Sequence, residues 1–472
     1  LPNRESFYDE SPGQRRTDKI FDETAVVGVQ EFASRLQAGI VPTFARWADF
    51  QAGSEIPPEQ KPEINLELDK ITDYVFQILQ TSNFNQEIHE AFMDLAIGTG
   101  VMLVEEGDAI NPIKFSSIPL TRVCLNNGPD GAIDTVYRTR YCKPDEINIL
   151  YPKAVLPENF DPLRQTKKIK IVEAVYKIYE PNVEKYKLCV VMEDPKHILF
   201  EETYTGEGAN PYLVFRWNKA SGEVYGRGPV FNAMSAIKTC NLTIELILQN
   251  AQMSVSGVYT YEDDGVINPD NISLVPGSLI PVAPGSRGLT PIQAASNFDV
   301  AQLVLNDMRA NIKKALYMEA LGRPEGTPMS ATEVSERMAD LSRQIGASFG
   351  RLQSELINPL LRRIIRILSK QGRIDIPKVN GREVKIAPRS PLAQAQHLQD
   401  VADVTRFNEI IAGTFGPQMI NLIVDQNATA KYLAEKMNLP EKLIRDEEEQ
   451  KQLADRMSQL QQSAGEEAPP ES

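Results

Sequence analysis

Few residues of this chain have the types and spacing that metal binding requires. The acidic run Glu262-Asp263-Asp264-Gly265 supplies carboxylates, but it lacks the alternating spacing of a calcium-binding loop. Only three histidines occur, and none stands in an HExxH or comparable ligand spacing. The pattern therefore predicts no metal site. A solvated hairpin tip is the favoured interpretation of the acidic run, with a partner-docking patch and a cation site as the alternatives.

Motifs for nucleotide binding and hydrolysis are missing as well. No GxxxxGK[ST] loop, no GxGxxG between a strand and a helix and no GxSxG turn occurs. The short cluster Gly226-Arg227-Gly228 opens a helix, and we interpret it as a hinge in preference to a phosphate-binding loop. The sequence predicts no cofactor and offers no adjacent acid–base set, although distant residues can build an active site in a folded chain.

Charge and hydropathy exclude two further classes of protein. Over 472 residues, 50 Lys and Arg stand against 64 Asp and Glu, a net charge of -14. A chain-wide basic surface for gripping nucleic acid is therefore absent. No run of 18 apolar residues occurs, so we predict no membrane span. The cysteines form no CxxC pair, and we expect all of them to be small buried side chains in a reducing compartment: Cys124, Cys142, Cys189 and Cys240.

Hydrophobic periodicity predicts helices first and strands afterwards. Helical spacing occurs at residues 24–36, 64–79 and 83–97, with capping residues at 81–83. Short runs rich in β-branched and aromatic residues then fill residues 100–218, separated by turn signals such as Asn127-Gly128. The predicted fold class is therefore α+β.

Two long helices separated by a small insert form the most informative arrangement in the chain. Residues 229–253 and 298–318 have helical spacing, and residues 254–297 between them contain strand-like runs at 257–261 and 278–281. Only Lys238 and Glu245 are charged in the first helix, so we expect both of its sides to contact protein. The residues predicted to contact the other helix and neighbouring subunits are Ile237, Ile244, Leu248 and Met308.

A loop at residues 319–329 leads into a very long predicted helix that Ser330 caps. Gly346 and Gly350 lie inside this helix and predict close backbone contact or a bend, and Pro359 predicts a kink. A strand at 374–386 and helices at 392–411, 427–437 and 440–461 complete the expected elements, and the polar end of the chain should be disordered.

Short motifs in a fixed order along residues 25–375 carry a family resemblance. In chain order they are Phe44-Ala-Arg-Trp-Ala-Asp-Phe50, Gly98-Thr-Gly-Val-Met-Leu-Val-Glu105, residues 115–119, Gly226-Arg-Gly-Pro229, Pro328-Met-Ser-Ala-Thr-Glu-Val334, Glu355-Leu-Ile-Asn-Pro359 and Gly372. The chain resembles the portal (head-to-tail connector) proteins of short-tailed bacteriophages. Beyond residue 390 it resembles only a generic helical C-terminal region.

This resemblance implies a portal-type α+β fold that assembles as a ring, usually of twelve subunits. The implied regions are an N-terminal arm (1–24), a wing (25–228), a first stem helix (229–253), a clip (254–297), a second stem helix (298–318), a tunnel loop (319–329), a long wing helix with a return strand (330–390) and a helical crown with a disordered tail (391–472). Stem helices in this family are long and antiparallel.

The resemblance also implies a structural, non-enzymatic function at the capsid vertex, where viral double-stranded DNA is packaged and ejected. Implied partners are identical subunits, the tail adaptor, the terminase and the capsid protein, in the virion and, during assembly, in the host cytoplasm; no membrane is involved. The loop facing DNA would present Glu319, Arg323 and Glu325, and the clip would dock the adaptor through Glu262, Asp263 and Asp264. The alternatives are another head–tail virion protein, such as an adaptor or scaffold, and an α+β enzyme without a recognisable motif.

Overall fold

The computed structural model describes residues 19–53, 56–57, 60–158, 160, 167–181, 183–256, 259–260, 284–285, 290–291, 298–318, 346–375, 384–388, 391–415 and 424–436. The chain divides into two compact units. The first comprises residues 1–37, 77–323 and 350–375, and the second comprises residues 38–76, 324–349 and 376–472. Helices and strands are both abundant, which confirms the α+β class. The predicted division into arm, wing, stem, clip, loop and crown stays a prediction.

Three helices open the described chain as predicted, namely α1 (Thr24–Ile40), α2 (Lys61–Thr81) and α3 (Phe84–Leu95). The expected side-chain cap at Asn83 is absent. Its amide instead accepts a hydrogen bond from Phe115 N at 3.1 Å and donates one to Phe115 O at 2.8 Å. Asn83 therefore fixes the start of α3 against a strand.

Eight antiparallel strands follow, and all eight were predicted. One sheet has three strands in the order β3-β2-β9, and the other has five in the order β4-β5-β6-β7-β8. Inward-facing side chains of both sheets share one core, which includes Val101, Val136, Val175 and Tyr212. The strand bounds are β2 Thr99–Glu106, β3 Ile113–Ser117, β4 Val123–Asn127, β5 Ile133–Cys142, β6 Ile169–Glu180, β7 Val183–Met192, β8 His197–Thr205 and β9 Tyr212–Arg216. The one-turn helix α4 (Ile147–Leu150) follows β5.

The two long helices are present as α5 (Pro229–Ser256) and α6 (Phe298–Ala315), and they pack on each other. We call this pair the hairpin. In the insert between them, β10 (Tyr259–Thr260) pairs antiparallel with β11 (Thr290–Pro291). The first of these strands was predicted and the second was not, and the run predicted at 278–281 lies outside the described residues.

The long helix after residue 345 differs from its prediction. Residues 346–352 are helical, a π-helical turn occupies Gln353–Ile357, and α7 follows at Asn358–Lys370. The irregularity thus precedes Pro359, which lies in the first turn of α7. At Gly346 and Gly350 we predicted close backbone contact or a bend; among the described residues a Cβ at either position would meet no atom within 4 Å, so close contact is not found there. We call β2–β9 together with α3 and α7 the sheet body.

The second unit contains a two-stranded sheet, in which β1 (Ala48–Ala52) pairs with β12 (Val384–Pro388), and the helices α8 (Pro391–Phe415) and α9 (Gln426–Lys436). Arg46 holds this unit locally through Asp49 (2.5 Å), Asp69 (2.5 Å) and Asp73 (2.8 Å). Of the strand predicted at 374–386, residues 384–386 lie in β12, residues 374–375 are not in a strand, and the residues between lie outside the described ranges. The helix predicted at 440–461 also lies outside them.

The cysteine prediction was correct for two residues and wrong for two. Cys142 and Cys240 are buried, whereas Cys189 is half-buried and Cys124 is exposed on an edge strand. Within the described ranges all four are free thiols, and no cluster of His, Cys, Asp and Glu could hold a metal ion. A search of the same residues finds no helix long and apolar enough to span a membrane.

Candidate assembly site on the hairpin

Large apolar side chains lie exposed along the hairpin. Leu248 is 52% exposed on α5 and Leu303 is 65% exposed on α6. A helix that met only its own chain would direct such residues inward. Clustered exposed apolar residues of this kind are typical of protein–protein contact sites. The exposed apolar residues of the hairpin are Phe231, Met234, Leu242, Leu246, Leu248, Leu303 and Val304.

The residues of α5 that are buried in the hairpin are smaller than the residues that the sequence predicted to pack there. Ala233 and Cys240 are buried on α5, and Leu305 and Ile312 are buried on α6. Small side chains on one helix allow its neighbour to approach closely. None of the four residues predicted to pack is fully buried. Ile237, Ile244 and Met308 are half-buried, and Leu248 is exposed.

The outward-facing leucines were missed because the prediction followed one apolar stripe only. Leu242 and Leu246 are spaced i, i+4 and lie on the side of α5 opposite Cys240. The same side carries Lys238 and Glu245, the two charges of the helix. This second, mixed stripe is visible in the sequence, and it marks the surface that the rest of the described chain leaves uncovered.

The glycine cluster that opens α5 forms a tight backbone seam and not a flexible hinge. Gly228 N and Val230 N donate hydrogen bonds to Ile97 O (2.9 Å) and Ala96 O (3.0 Å) at the end of α3. A Cβ at Gly228 would collide with the Ala96 carbonyl. The free N–H groups of one helix start thus satisfy the free carbonyls of another helix end. Because these donors are occupied, the seam offers no phosphate site.

The far end of α6 is anchored to α1. Arg35 donates hydrogen bonds to the carbonyls of Tyr317, at 3.0 Å, and of Met318. Tyr317 adopts φ 57°, the left-handed conformation that ends many helices, and its ring lies 5.9 Å from that of Trp217. The chain therefore leaves α6 in a defined position and direction. The residues that follow it, Glu319 among them, lie outside the described ranges.

The other residues predicted to contact DNA or an adaptor also lie outside the described ranges. They are Arg323 and Glu325 after α6, and Glu262, Asp263 and Asp264 in the insert.

A buried ion pair that the sequence did not reveal joins β9 to the π-helical turn. Arg216 Nη2 lies 2.6 Å from Glu355 Oε1, and Arg216 N donates to Glu355 Oε2 at 2.9 Å. Glu355 itself lies within this π-helical turn, which contains one residue more than a regular helical turn. Irregular turns of this kind often mark functional positions. No sequence signal could pair two residues that are 139 positions apart.

A second polar cluster lies beneath the sheets. Glu173 is buried and accepts hydrogen bonds from the hydroxyls of Tyr212, at 2.5 Å, and Tyr151, while Arg138 lies 3.4 Å away. Burial, followed by the charge of Glu173, raises the pKa of Tyr212 well above its ordinary value. Both hydroxyls therefore stay protonated and donate to Glu173. Its geometry indicates a role in stability and not catalysis.

Comparison with known proteins identifies the family of this chain. A family model described as bacteriophage head to tail connecting protein matches residues 1–444. A probable portal protein of Bordetella phage BPP-1 is 22% identical over 98% of this chain and 88% of its own. Portal proteins of Salmonella phage epsilon15 (22% identical, 81% of this chain and 72% of theirs) and Escherichia phage T7 (21%, 74% and 66%) are also similar.

A solved structure of the neck of a native gene transfer agent (GTA) particle, computed with C12 symmetry, is similar over 87% of this chain and 91% of that chain. Its TM-score is 0.37 at 14% identity. The family match covers most of the sequence, and the chain therefore belongs to the bacteriophage head-to-tail connecting proteins. The resemblance read from the short motifs is confirmed.

Proposed function

We propose that this chain is the subunit of a portal ring at the capsid vertex, with the exposed apolar surface of the hairpin as the contact between neighbouring copies. The structural role follows from membership of the head-to-tail connecting family. The observation that carries the assembly proposal is the row of exposed apolar residues, including Phe231, Leu242 and Leu246, on helices whose inner faces are already filled. Such a surface requires a protein partner.

A ring follows if the contact is head to tail. Two different faces of one chain then meet, and the assembly closes when the rotation between copies divides a full turn. The hairpin has two such faces, because α5 and α6 each carry exposed apolar residues. Twelve copies of 52.7 kDa would form a particle of about 0.63 MDa.

The assembly proposal is tested with aspartate substitutions. We expect Leu248→Asp and Ile244→Asp to abolish rings in native mass spectrometry, because each places a charge in an apolar contact. Leu66→Asp is the matched control, since Leu66 is an exposed leucine of α2, 45% exposed, outside the hairpin. Intact rings for both hairpin variants, or equal loss in the control, would move the contact elsewhere.

We further propose that viral double-stranded DNA passes through this ring. A net charge of -14 suits a conduit, because a lining that bound phosphates tightly would slow translocation. The residues proposed to face DNA, Glu319, Arg323 and Glu325, sum to a charge of -1 and follow the anchored end of α6. Shortening residues 319–329 should leave rings intact but reduce packaging or retention of DNA. Normal packaging and retention would place the constriction elsewhere.

The insert between α5 and α6 is the proposed docking site for the tail adaptor, through Glu262, Asp263 and Asp264. Exposed charges mainly change association rate and salt dependence. Reversing all three should weaken adaptor binding at low salt while rings still form. Unchanged affinity would leave them as a solvated tip. The proposed portal function also includes contacts with terminase and capsid protein, a location in the virion and assembly in the host cytoplasm. It further includes the absence of enzymatic activity.

A further inference from the structure

The residues before α1 cross the hairpin and contact both of its helices. We call residues 19–23 the strap. Phe21 N and Asp22 N donate to Asn241 Oδ1 on α5 at 2.8 and 3.3 Å, and Asn241 Nδ2 donates to Lys19 O at 3.0 Å. One amide side chain thus satisfies backbone donors and an acceptor of the strap, as a neighbouring strand would.

A single carboxylate connects the strap to the other helix. Asp22 Oδ2 accepts from Arg309 Nε at 2.9 Å and lies 2.9 Å from Arg309 Nη2 on α6. The Cys240 thiol of α5 is near enough that the charge of Asp22, after burial, raises the pKa of this thiol. The Asp22 Oδ1 atom accepts from Thr24 N at 2.9 Å, where α1 begins. Asp22 is itself buried, so the carboxylate is held between the two helices and the start of α1.

Polar contacts carry the attachment of the strap, and apolar burial contributes little. Ile20 and Phe21 are only half-buried, and Lys19 and Glu23 are exposed. By contrast, α1 anchors itself through fully buried Val29, Phe32 and Ala33. Segments with few buried apolar contacts open locally at a small fraction of the global unfolding free energy.

We propose that the strap is a releasable clamp on the hairpin: it holds α5 and α6 at one relative height while Asp22 is seated, and it opens as a local unit while α1 and the sheet body stay folded. The contacts lie within one chain, so the clamp does not depend on the assembly proposal. Its release would expose the Cys240 thiol of α5 while the end of α6 stays anchored to α1 through Arg35.

Cys240 reports this opening, because its thiol is buried and is close enough to Asp22 for the Asp22 charge to raise its pKa, after burial itself. The assembled protein is treated with iodoacetamide at one fixed pH, and the alkylation of each cysteine is followed by peptide mass spectrometry. Asp22→Ala and Arg309→Met should each raise the rate at Cys240 about tenfold or more. The rate at Cys142, which is 2% exposed in the sheet body, should stay constant.

The two variants separate opening from direct electrostatics. Burial and then the charge of Asp22 raise the pKa of the Cys240 thiol, whereas the charge of Arg309 lowers it. Removal of Asp22 or of Arg309 therefore changes intrinsic thiol reactivity in opposite directions. A rise in both variants reports opening. A rise with Asp22→Ala but a fall with Arg309→Met would overturn the proposal, as would unchanged rates.

A matched control lies one residue along the strap. Glu23→Ala removes an exposed carboxylate and should leave the Cys240 rate at the wild-type value. A parallel rise at Cys142 in Asp22→Ala would also overturn the proposal, because the strap would then be part of the global fold and not a separate clamp.

Discussion

The sheet body and the hairpin use their polar and apolar residues in opposite ways. In the sheet body, the charged side chains of Arg216 and Glu173 are buried and paired, Arg216 with Glu355 of the adjoining π turn, and the apolar side chains between the sheets are covered. In the hairpin, Leu242, Leu246 and other apolar side chains lie exposed. The buried charges of the sheet body therefore find partners within one chain, whereas the hairpin exposes the apolar surface that we propose a neighbouring copy covers.

The loss of a partner from the buried ion pair should produce the largest effect. Glu355→Ala leaves the Arg216 guanidinium, whose side chain is 5% exposed, without its carboxylate. We expect the free energy of unfolding to fall by about 3–5 kcal/mol. Denaturant unfolding followed by tryptophan fluorescence measures this change. The control is Glu106→Ala, which breaks an exposed pair with Lys370 and should cost less than about 1 kcal/mol. Equal costs would mean that the sheet body does not depend on buried pairing.

A smaller effect is expected when Glu173 loses one donor. Tyr212→Phe keeps the ring and removes the hydroxyl that lies 2.5 Å from the carboxylate. The free energy of unfolding should fall by about 1–3 kcal/mol, because the buried carboxylate retains fewer donors. Tyr137→Phe, at an exposed tyrosine of β5, should stay within about 0.5 kcal/mol of wild type. Native mass spectrometry should show rings for both variants.

The pH dependence of the strap should be smaller again. Although burial opposes the charged form, hydrogen bonds from Thr24 and Arg309 hold the pKa of Asp22 below its ordinary value of 3.8. A lowered folded pKa gives a stabilisation that is present above the unfolded pKa and is lost as pH falls through the folded value. Since Arg309 is partly exposed, we expect about 1 kcal/mol at neutral pH.

The comparison of wild type with Asp22→Asn isolates this contribution. Wild type should be the more stable protein at pH 7, and the difference in the free energy of unfolding should vanish as pH falls below 3.8 toward the folded pKa. A difference that is constant over this window would show that the Asp22 charge does not stabilise the strap.

Substitution on the outer face of the hairpin should have the smallest effect on the free energy of unfolding of the single subunit. Leu246→Ser replaces a side chain that is 55% exposed, so the free energy of unfolding of the dissociated subunit should change by no more than about 0.5 kcal/mol. Ring stability against dilution should nevertheless fall. A large loss of subunit stability would contradict the contrast between the two regions, because it would show that Leu246 already packs within its own chain.

Particular residues show how far sequence reasoning reached. The hairpin helices and the eight strands of the sheet body were predicted because their periodicity is local and strong, as in α5 and β6. Irregular positions in the helices were not predicted correctly. The irregularity is a π turn at Gln353–Ile357, whereas a kink was predicted at Pro359. Gly346 and Gly350 meet no described neighbour, although close contact was one of the alternatives predicted there. A π turn inserts a single residue, and the apolar pattern on its two sides was interpreted as one continuous helix.

The candidate assembly site was predicted at the level of its helices and not of its residues. The sequence indicated that α5 must contact protein on more than one side, because it carries only Lys238 and Glu245 as charges. Which stripe faces α6 depends on the rotation of α5 about its axis, and the packing of Ala233 and Cys240 decides that rotation. The outward-facing leucines therefore emerged only from the folded chain.

By itself, the sequence determined the α+β class, the order of the elements, the acidic charge and the family, because each depends on local patterns or on motif order. Tertiary structure alone decided that Arg216 meets Glu355, that Asp22 lies between Cys240 and Arg309, and that the glycines at 226–228 close a seam against α3. These contacts join residues far apart in the chain. Their energies depend on burial and on distances of a few ångströms, which no local pattern encodes.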